Sequence, residues 1–171
     1  VCRDIIVDNC VILSKRIAFK LGSETKGEFR NIVFSNSVIQ DGAGGVGLQM
    51  RDGGIIDGLV ISNISMTLPY DGGQPIYLWL YRRADDVPFG EVKNVKISNI
   101  TSIADGSLFI TGAKEKYIEN ITLQNCHFFI RGSGHKRHHK DPPYPYPVFA
   151  PEGAPYSIYC RYATDVKIKD V

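Results

Sequence analysis

The chain has 171 residues, a formal net charge of +2 and 43% hydrophobic residues. That length can build one domain with a sizeable core, and the near-neutral balance lacks the basic bias of a nucleic-acid protein. No apolar run approaches the length of a membrane span, and the abundance of Val and Ile fits a strand-rich fold.

Strands can be read in chain order. RDIIVDNCVI from Arg3 alternates apolar and polar residues with the period of a half-buried strand. AFKLGSE from Ala18 follows as a second, shorter strand. The pair then recurs as RNIVFSNSVI from Arg30 with VGLQMRD from Val46, and DGLVISNISM from Asp57 with IYLWLYR from Ile76. It recurs again as KNVKISNITS from Lys93 with SLFITGA from Ser107, and ENITLQNCHF from Glu119 with YSIYCRY from Tyr156. TDVKIKDV from Thr164 is a partial last copy. The copies share an Asn at Asn9, Asn36, Asn63, Asn99 and Asn125, with Asp170 in sixth place, at spacings of 27, 27, 36, 26 and 45 residues. Asn tolerates left-handed backbone and bonds locally, so it suits a tight corner and can stack between repeats.

Two strands and their turns per repeat predict an all-β fold, a right-handed parallel β-helix of about five to six rungs. A helical repeat is excluded by the period of two. A sandwich or barrel would not need the same Asn in every unit, and a leucine-rich repeat would need a leucine framework. Val1 enters directly into a rung, Val171 ends inside one and no amphipathic helix precedes Arg3. Residues 1–171 are therefore expected to be a single segment of a longer domain, with uncapped ends. Cys2, Cys10, Cys126 and Cys160 form no CxxC pair, so they are read as small buried hydrophobes rather than zinc ligands, with a Cys2–Cys10 disulfide as the alternative.

Alternation along the shorter strands sends Phe19, Leu21, Leu48, Met50, Leu78, Leu80, Leu108, Ile110, Ile158 and Cys160 inward. Two outward ladders then run across the repeats. One holds Lys20, Gln49, Trp79, Phe109 and Tyr159; the other holds Gly22, Arg51, Tyr81, Thr111 and Arg161. Rings stack on the apolar faces of sugars and cations pair with carboxylates, so a groove lined this way suits an acidic polysaccharide. The alternative is that these rings pack beneath covering loops. Glu24 and the YRRADD run holding Arg82 form one lip. Glu24 is either a substrate contact or a turn carboxylate paired with Lys26 or Arg30, and Asp85 and Asp86 read as a solvated turn. GHKRHHK from Gly134 reads as an exposed or glycan-covering basic loop before a metal site, and DPPYPYP from Asp141 as an extended, rigid tie.

KLGSETKGEFRNIVFSNSVI from Lys20 and GLQMRDGGIIDGLVISNISM from Gly47 resemble successive rungs of the polygalacturonase family of glycoside hydrolases and its rhamnogalacturonan-acting relatives. IENITLQN from Ile118 and the stretch from Tyr144 to Val171 resemble its C-terminal rungs. The resemblance implies a pectin-lyase-like right-handed β-helix, here a C-terminal fragment, that hydrolyses pectin-like polysaccharide outside the cell or in the periplasm without a cofactor. It also implies an inverting acid–base pair of carboxylates, whose motifs would fall before Val1. The family's histidine aligns with Ile17. Its paired cations align with Gln49 and Arg51, which points to a neutral or modified sugar at that subsite. Lys20, Glu24, Gln49, Arg51, Trp79, Tyr81, Arg82, Tyr159 and Arg161 are the expected substrate contacts, with no catalytic or metal-binding residue in this chain. No nucleic acid or membrane partner is expected. Two other functions fit the same architecture: a non-catalytic carbohydrate-binding β-helix, and a calcium-dependent polysaccharide lyase.

Overall fold

Alternating apolar residues and frequent β-branching favour extended backbone with one face buried. A computed structural model describes residues 1–70, 73–131 and 157–171. Its strands are β1 (Cys2–Asp8), β2 (Val11–Leu13), β3 (Ile17–Ser23), β4 (Glu28–Gln40), β5 (Gly44–Met50), β6 (Ile55–Leu68) and β7 (Gln74–Leu80). They continue as β8 (Glu91–Ala104), β9 (Leu108–Thr111), β10 (Ile118–Gln124), β11 (His127–Ile130), β12 (Ile158–Arg161) and β13 (Ala163–Lys169). The GHKRHHK and DPPYPYP stretches lie outside the described residues.

The strands form two sheets, and every strand pairing is parallel. The first has the order β1-β4-β6-β8-β10-β13, with β2 beside β4 and β11 beside β8; the second runs β12-β9-β7-β5-β3. The chain moves back and forth between the sheets, adding a strand to each in turn. In the first sheet one column of facing residues reads Ile5, Ile32, Leu59, Val95, Ile121 and Val166. That register matches the spacing of the shared asparagine in the sequence.

Asn9 and Asn125 follow the ends of β1 and β10, but the other three asparagines do not end their strands. Asn36, Asn63 and Asn99 lie within β4, β6 and β8 and take φ values of 47°, 56° and 54°. Each bends the strand at a left-handed residue, a conformation open to Asn and costly for most others. Their side chains form a ladder across the sheet. Asn36 Nδ2 donates to Asp8 Oδ1 at 2.9 Å, Asn63 to Asn36 Oδ1 at 2.9 Å, Asn99 to Asn63 Oδ1 at 2.9 Å and Asn125 to Asn99 Oδ1 at 2.7 Å.

A second left-handed column lies five residues earlier, at Asp4, Asn31, Gly58, Asn94, Asn120 and Asp165. Asn31 donates to Asp4 at 3.1 Å and Asn120 to Asn94 at 2.7 Å. Gly58 carries no amide, and there Asn94 turns to Asp57 Oδ1 at 2.6 Å. The sequence carried this signal, because the second residue of every copy is Asp, Asn or Gly.

Inward-facing residues of both sheets form one core, including Phe34, Leu48, Met50, Ile61, Met66, Leu78, Ile97, Leu108 and Ile110. Phe19 of β3 stacks on Phe34 of β4, with centroids 4.4 Å apart, and joins the two sheets. Each fully buried aliphatic side chain contributes roughly 1.5–3 kcal/mol of transfer free energy.

The cysteine expectation needs correction. All four are free thiols, so Cys2 and Cys10 form no disulfide. Cys126 is buried, but Cys2 and Cys160 are exposed. Cys160 faces Ile110 as alternation requires, yet β12 is the outermost strand of its sheet, so its inner side is open. Cys10 and Cys126 hold equivalent places, and each Sγ donates to the carbonyl two residues earlier at 3.2 Å.

Replacing Asn63 by Ala forces a left-handed Ala and removes two ladder bonds, for an expected loss of about 2–3 kcal/mol. Asn63→Gly keeps the backbone free and loses only the bonds, for about 1 kcal/mol. Urea unfolding of both variants measures the difference; equal losses would show that the backbone conformation carries no cost.

Candidate functional site

The outer face of the second sheet carries most of the residues singled out from sequence. Its two ladders are Lys20, Gly47, Tyr77, Phe109 and Tyr159, and Gly22, Gln49, Trp79, Thr111 and Arg161. The expected ladders are corrected by two residues at two steps: Lys20 faces Gly47 rather than Gln49, and Trp79 faces Thr111 rather than Phe109. A slip of two keeps every side chain on its own face, so the inward set was unaffected. The glycine run before Leu48 disguised the true start of β5 at Gly44.

The rings are closed off from solvent, against the expectation of an open stacking surface. Trp79, Tyr81 and Phe109 are 4%, 2% and 2% exposed. Trp79 stacks on Tyr81 with centroids 3.8 Å apart, and Phe109 stacks on Tyr159 at 5.3 Å. Tyr77 lies tilted against Trp79, 6.4 Å away. It fits because Gly47 beneath it has no side chain: a Cβ there would lie 2.9 Å from the ring. Burial holds the Tyr77 phenol well above its ordinary pKa, and neighbouring Tyr81 adds to the shift. Gln49 is also enclosed, and its Nε2 donates to the Tyr81 hydroxyl at 3.2 Å.

The cations divide into committed and uncommitted groups. Arg82 donates to the carbonyl and carboxylate of Asp85 at 2.9 and 2.8 Å and lies over Phe89, so it closes its own loop. Asp85 and Asp86 are exposed in that turn. Arg161 lies over the Tyr162 ring and donates to its hydroxyl at 2.9 Å; its pKa is raised first by hydrogen bonding with Tyr159. Lys20 and Arg51 form no ion pair with a carboxylate among the described residues. Partial burial lowers the Lys20 pKa, and the Arg51 charge lowers it further. Arg51 sits with its guanidinium 4.9 Å from the Tyr81 ring centroid, and its enclosed Nε has no partner.

Arg83 was missed from sequence. Its Nε and Nη2 donate to the two oxygens of Asp52 at 2.8 Å each, and its Nη1 lies 3.0 Å from Glu24 Oε1. Glu24 therefore pairs with Arg83, neither with Lys26 nor with Arg30, which binds Glu28 and Asp57. Continuing the β5–β7 register past Met50 and Leu80 would set Asp52 opposite Arg82; the pairing shifts by one here, with the Arg83 amide donating to the Arg51 carbonyl at 3.0 Å, so the pattern along the chain gave no signal for Arg83. Gly22 leads the turn to Glu24 with φ at 104°, where a Cβ would lie 1.9 Å from the Gln49 carbonyl oxygen, so this turn requires glycine. The hydrogen bond from Arg83 holds the Asp52 pKa low, opposed by burial and helped by the charges of Arg83, Arg51 and Lys26. Asp52 thus stays ionised with both oxygens taken. Together these residues set cations and acids side by side at this end of the face, with Lys20 and Arg161 exposed. No family model matches the chain, and no curated protein or solved structure matches it either.

Trp79→Ala should now cost about 3 kcal/mol or more in stability, as a buried ring does, with a clear fall in melting temperature. An unchanged melting temperature would place the ring at the surface. Asp52→Asn should be less stable than the parent by about 1.5–3 kcal/mol at neutral pH. The folded-state pKa of Asp52 is depressed, so its contribution is complete above the ordinary value of 3.8 and fades as pH falls through the lower folded value. The stability gap between parent and variant should therefore close below that pH; a constant gap down to strong acid would refute the linkage.

Proposed function

We propose that this chain is a stretch of right-handed parallel β-helix from a glycoside hydrolase of the polygalacturonase type. Its substrate is a pectin-like polysaccharide, of galacturonan or rhamnogalacturonan kind, met outside the cell or in the periplasm. Two parallel sheets fed alternately by one chain support the β-helix, and crossovers between parallel strands are right-handed in about 98% of cases.

The observation that carries the substrate class is the Lys20–Arg51 pair. Neither cation forms an ion pair with a carboxylate among the described residues, although the Arg51 charge also acts on Asp52. Lys20 is exposed and Arg51 half-buried, so each can meet an anion from solvent. An acidic polysaccharide brings a carboxylate on a rigid sugar, with hydroxyls for the neighbouring polar groups. The two acids nearest these cations, Glu24 and Asp52, share Arg83. The acid–base pair, which an inverting hydrolase holds roughly 6.5–9.5 Å apart, is accordingly assigned to sequence outside this stretch.

A non-catalytic carbohydrate-binding β-helix is the second reading, favoured by Ile17. Its Cγ1 lies 3.1 Å from where a Cβ on Gly44 would be, so an apolar side chain packs where a hydrolase of this type would place a histidine.

The chain by itself should bind polygalacturonate with an affinity that falls as salt rises, and should release no reducing sugar. Equal binding to a neutral galactan would refute the acidic substrate, and reducing-sugar release would refute the outside placement of the acid–base pair. Unsaturated products whose formation stops with a chelator would identify a lyase instead.

A further inference from the structure

Alternation sends Trp79 out toward a sugar, but its ring is buried and stacked on Tyr81. Arg51 stands over the ring of the same Tyr81. Three planar groups come together here: the Trp79 indole, the Tyr81 ring 3.8 Å from it at an interplanar angle of 21°, and the Arg51 guanidinium 4.9 Å from the Tyr81 centroid.

An arginine is usually oriented by a forked pair of bonds to a carboxylate. Arg51 has no such partner among the described residues, and its buried Nε bonds to nothing. The adjacent carboxylate, Asp52, already has both oxygens on Arg83. What fixes Arg51 is the ring face beneath it. That ring is itself fixed at three points. Gln49 donates to the Tyr81 hydroxyl, the Tyr81 amide donates to the Met50 carbonyl at 3.1 Å, and Trp79 packs against the ring. The Arg83 amide, bonded to the Arg51 carbonyl at 3.0 Å, holds the backbone of Arg51. A flexible side chain is thus placed in advance, and its Nε has no hydrogen-bond partner among the described residues.

We infer that Trp79 and Tyr81 are positioning residues, whose stack holds Arg51 ready for the carboxylate of an acidic sugar. The inference rests on the acidic-polysaccharide reading and changes the role of the rings within it. Sugar does not lie on Trp79; the indole supports the cation that the sugar meets. Gln49 belongs to the same support through the Tyr81 hydroxyl, and Lys20 supplies a further charge on the same face of the sheet.

Trp79 is the only tryptophan in the chain, so its emission reports on the stack. The chain is titrated with trigalacturonate and with its fully methyl-esterified form at low ionic strength, by fluorescence and by calorimetry. Trigalacturonate should change Trp79 emission saturably. Arg51→Gln should remove that change and weaken binding by about tenfold or more. Tyr81→Leu should weaken the acidic trimer by a similar factor, and narrow the preference for the acid over the ester. Tyr81→Phe, which keeps the ring but loses the Gln49 bond, should narrow that preference by clearly less than Tyr81→Leu does. Arg51→Lys keeps the charge but loses the planar stack, and should lose about tenfold. It also decides the matter if Tyr81→Leu fails to fold. If the parent chain does not bind trigalacturonate, the acidic-substrate reading fails and takes this inference with it. If the parent binds and Arg51→Gln does not, while Tyr81→Leu or Arg51→Lys keeps the full acid preference, the site stands and the positioning role is overturned.

Discussion

The fold turns on asparagine amides: Asn63, Asn99 and Asn125 each bond to the counterpart one repeat away, and Asn36 bonds to Asp8 beside Asn9. The ladder from Asp8 through Asn36, Asn63 and Asn99 to Asn125 sets two things together. It satisfies polar side chains in a row, and it places a left-handed residue at the same point of every strand. Given that bend, each strand can serve two directions of the first sheet while its inward residues still reach one core. Were the repeats to slip by one residue, the amides would lose their partners and the apolar residues would turn outward. Both penalties oppose the same slip.

The second sheet is placed by the first and has its own logic. Its inner face is aliphatic and joins the common core, while its outer face carries the rings and charges. That outer face is ordered by local chemistry rather than by a ladder. Gly47 makes room for Tyr77, Trp79 and Tyr81 stack, and Gln49 ties the Tyr81 hydroxyl. Arg83 binds both Glu24 and Asp52 at the neighbouring turns, one cation shared by two acids. Lys20 and Arg51 form no ion pair with a carboxylate among the described residues, although the Arg51 charge also acts on Asp52. The binding role proposed for an acidic chain molecule rests on these two cations, with the rings as support.

Much of the candidate site could be read from the residues, and the failures share one cause. Lys20 and Arg51 were singled out because alternation assigns faces within a strand. The partners across strands were displaced by two, because strand starts differ: β3 begins at Ile17, β5 at Gly44 and β7 at Gln74. Glu24 was given Lys26 or Arg30 as neighbours in sequence, while Arg83, from another repeat, holds it. Exposure of Trp79 was inferred from parity alone, and parity distinguishes faces without saying whether a face is covered.

By itself the sequence determined the all-β character, the repeat length and the stacking of asparagine on asparagine. These depend on a period of two and on a residue type able to adopt left-handed backbone, both of which are local properties. Tertiary structure alone decided the cross-strand register of the second sheet, the burial of Trp79 and Tyr81, the pairing of Asp52 and Glu24 with Arg83, and the contact of Arg51 with the Tyr81 ring. Those depend on which residues of separate repeats meet in space, where small differences in strand start shift every contact without changing the pattern along the chain.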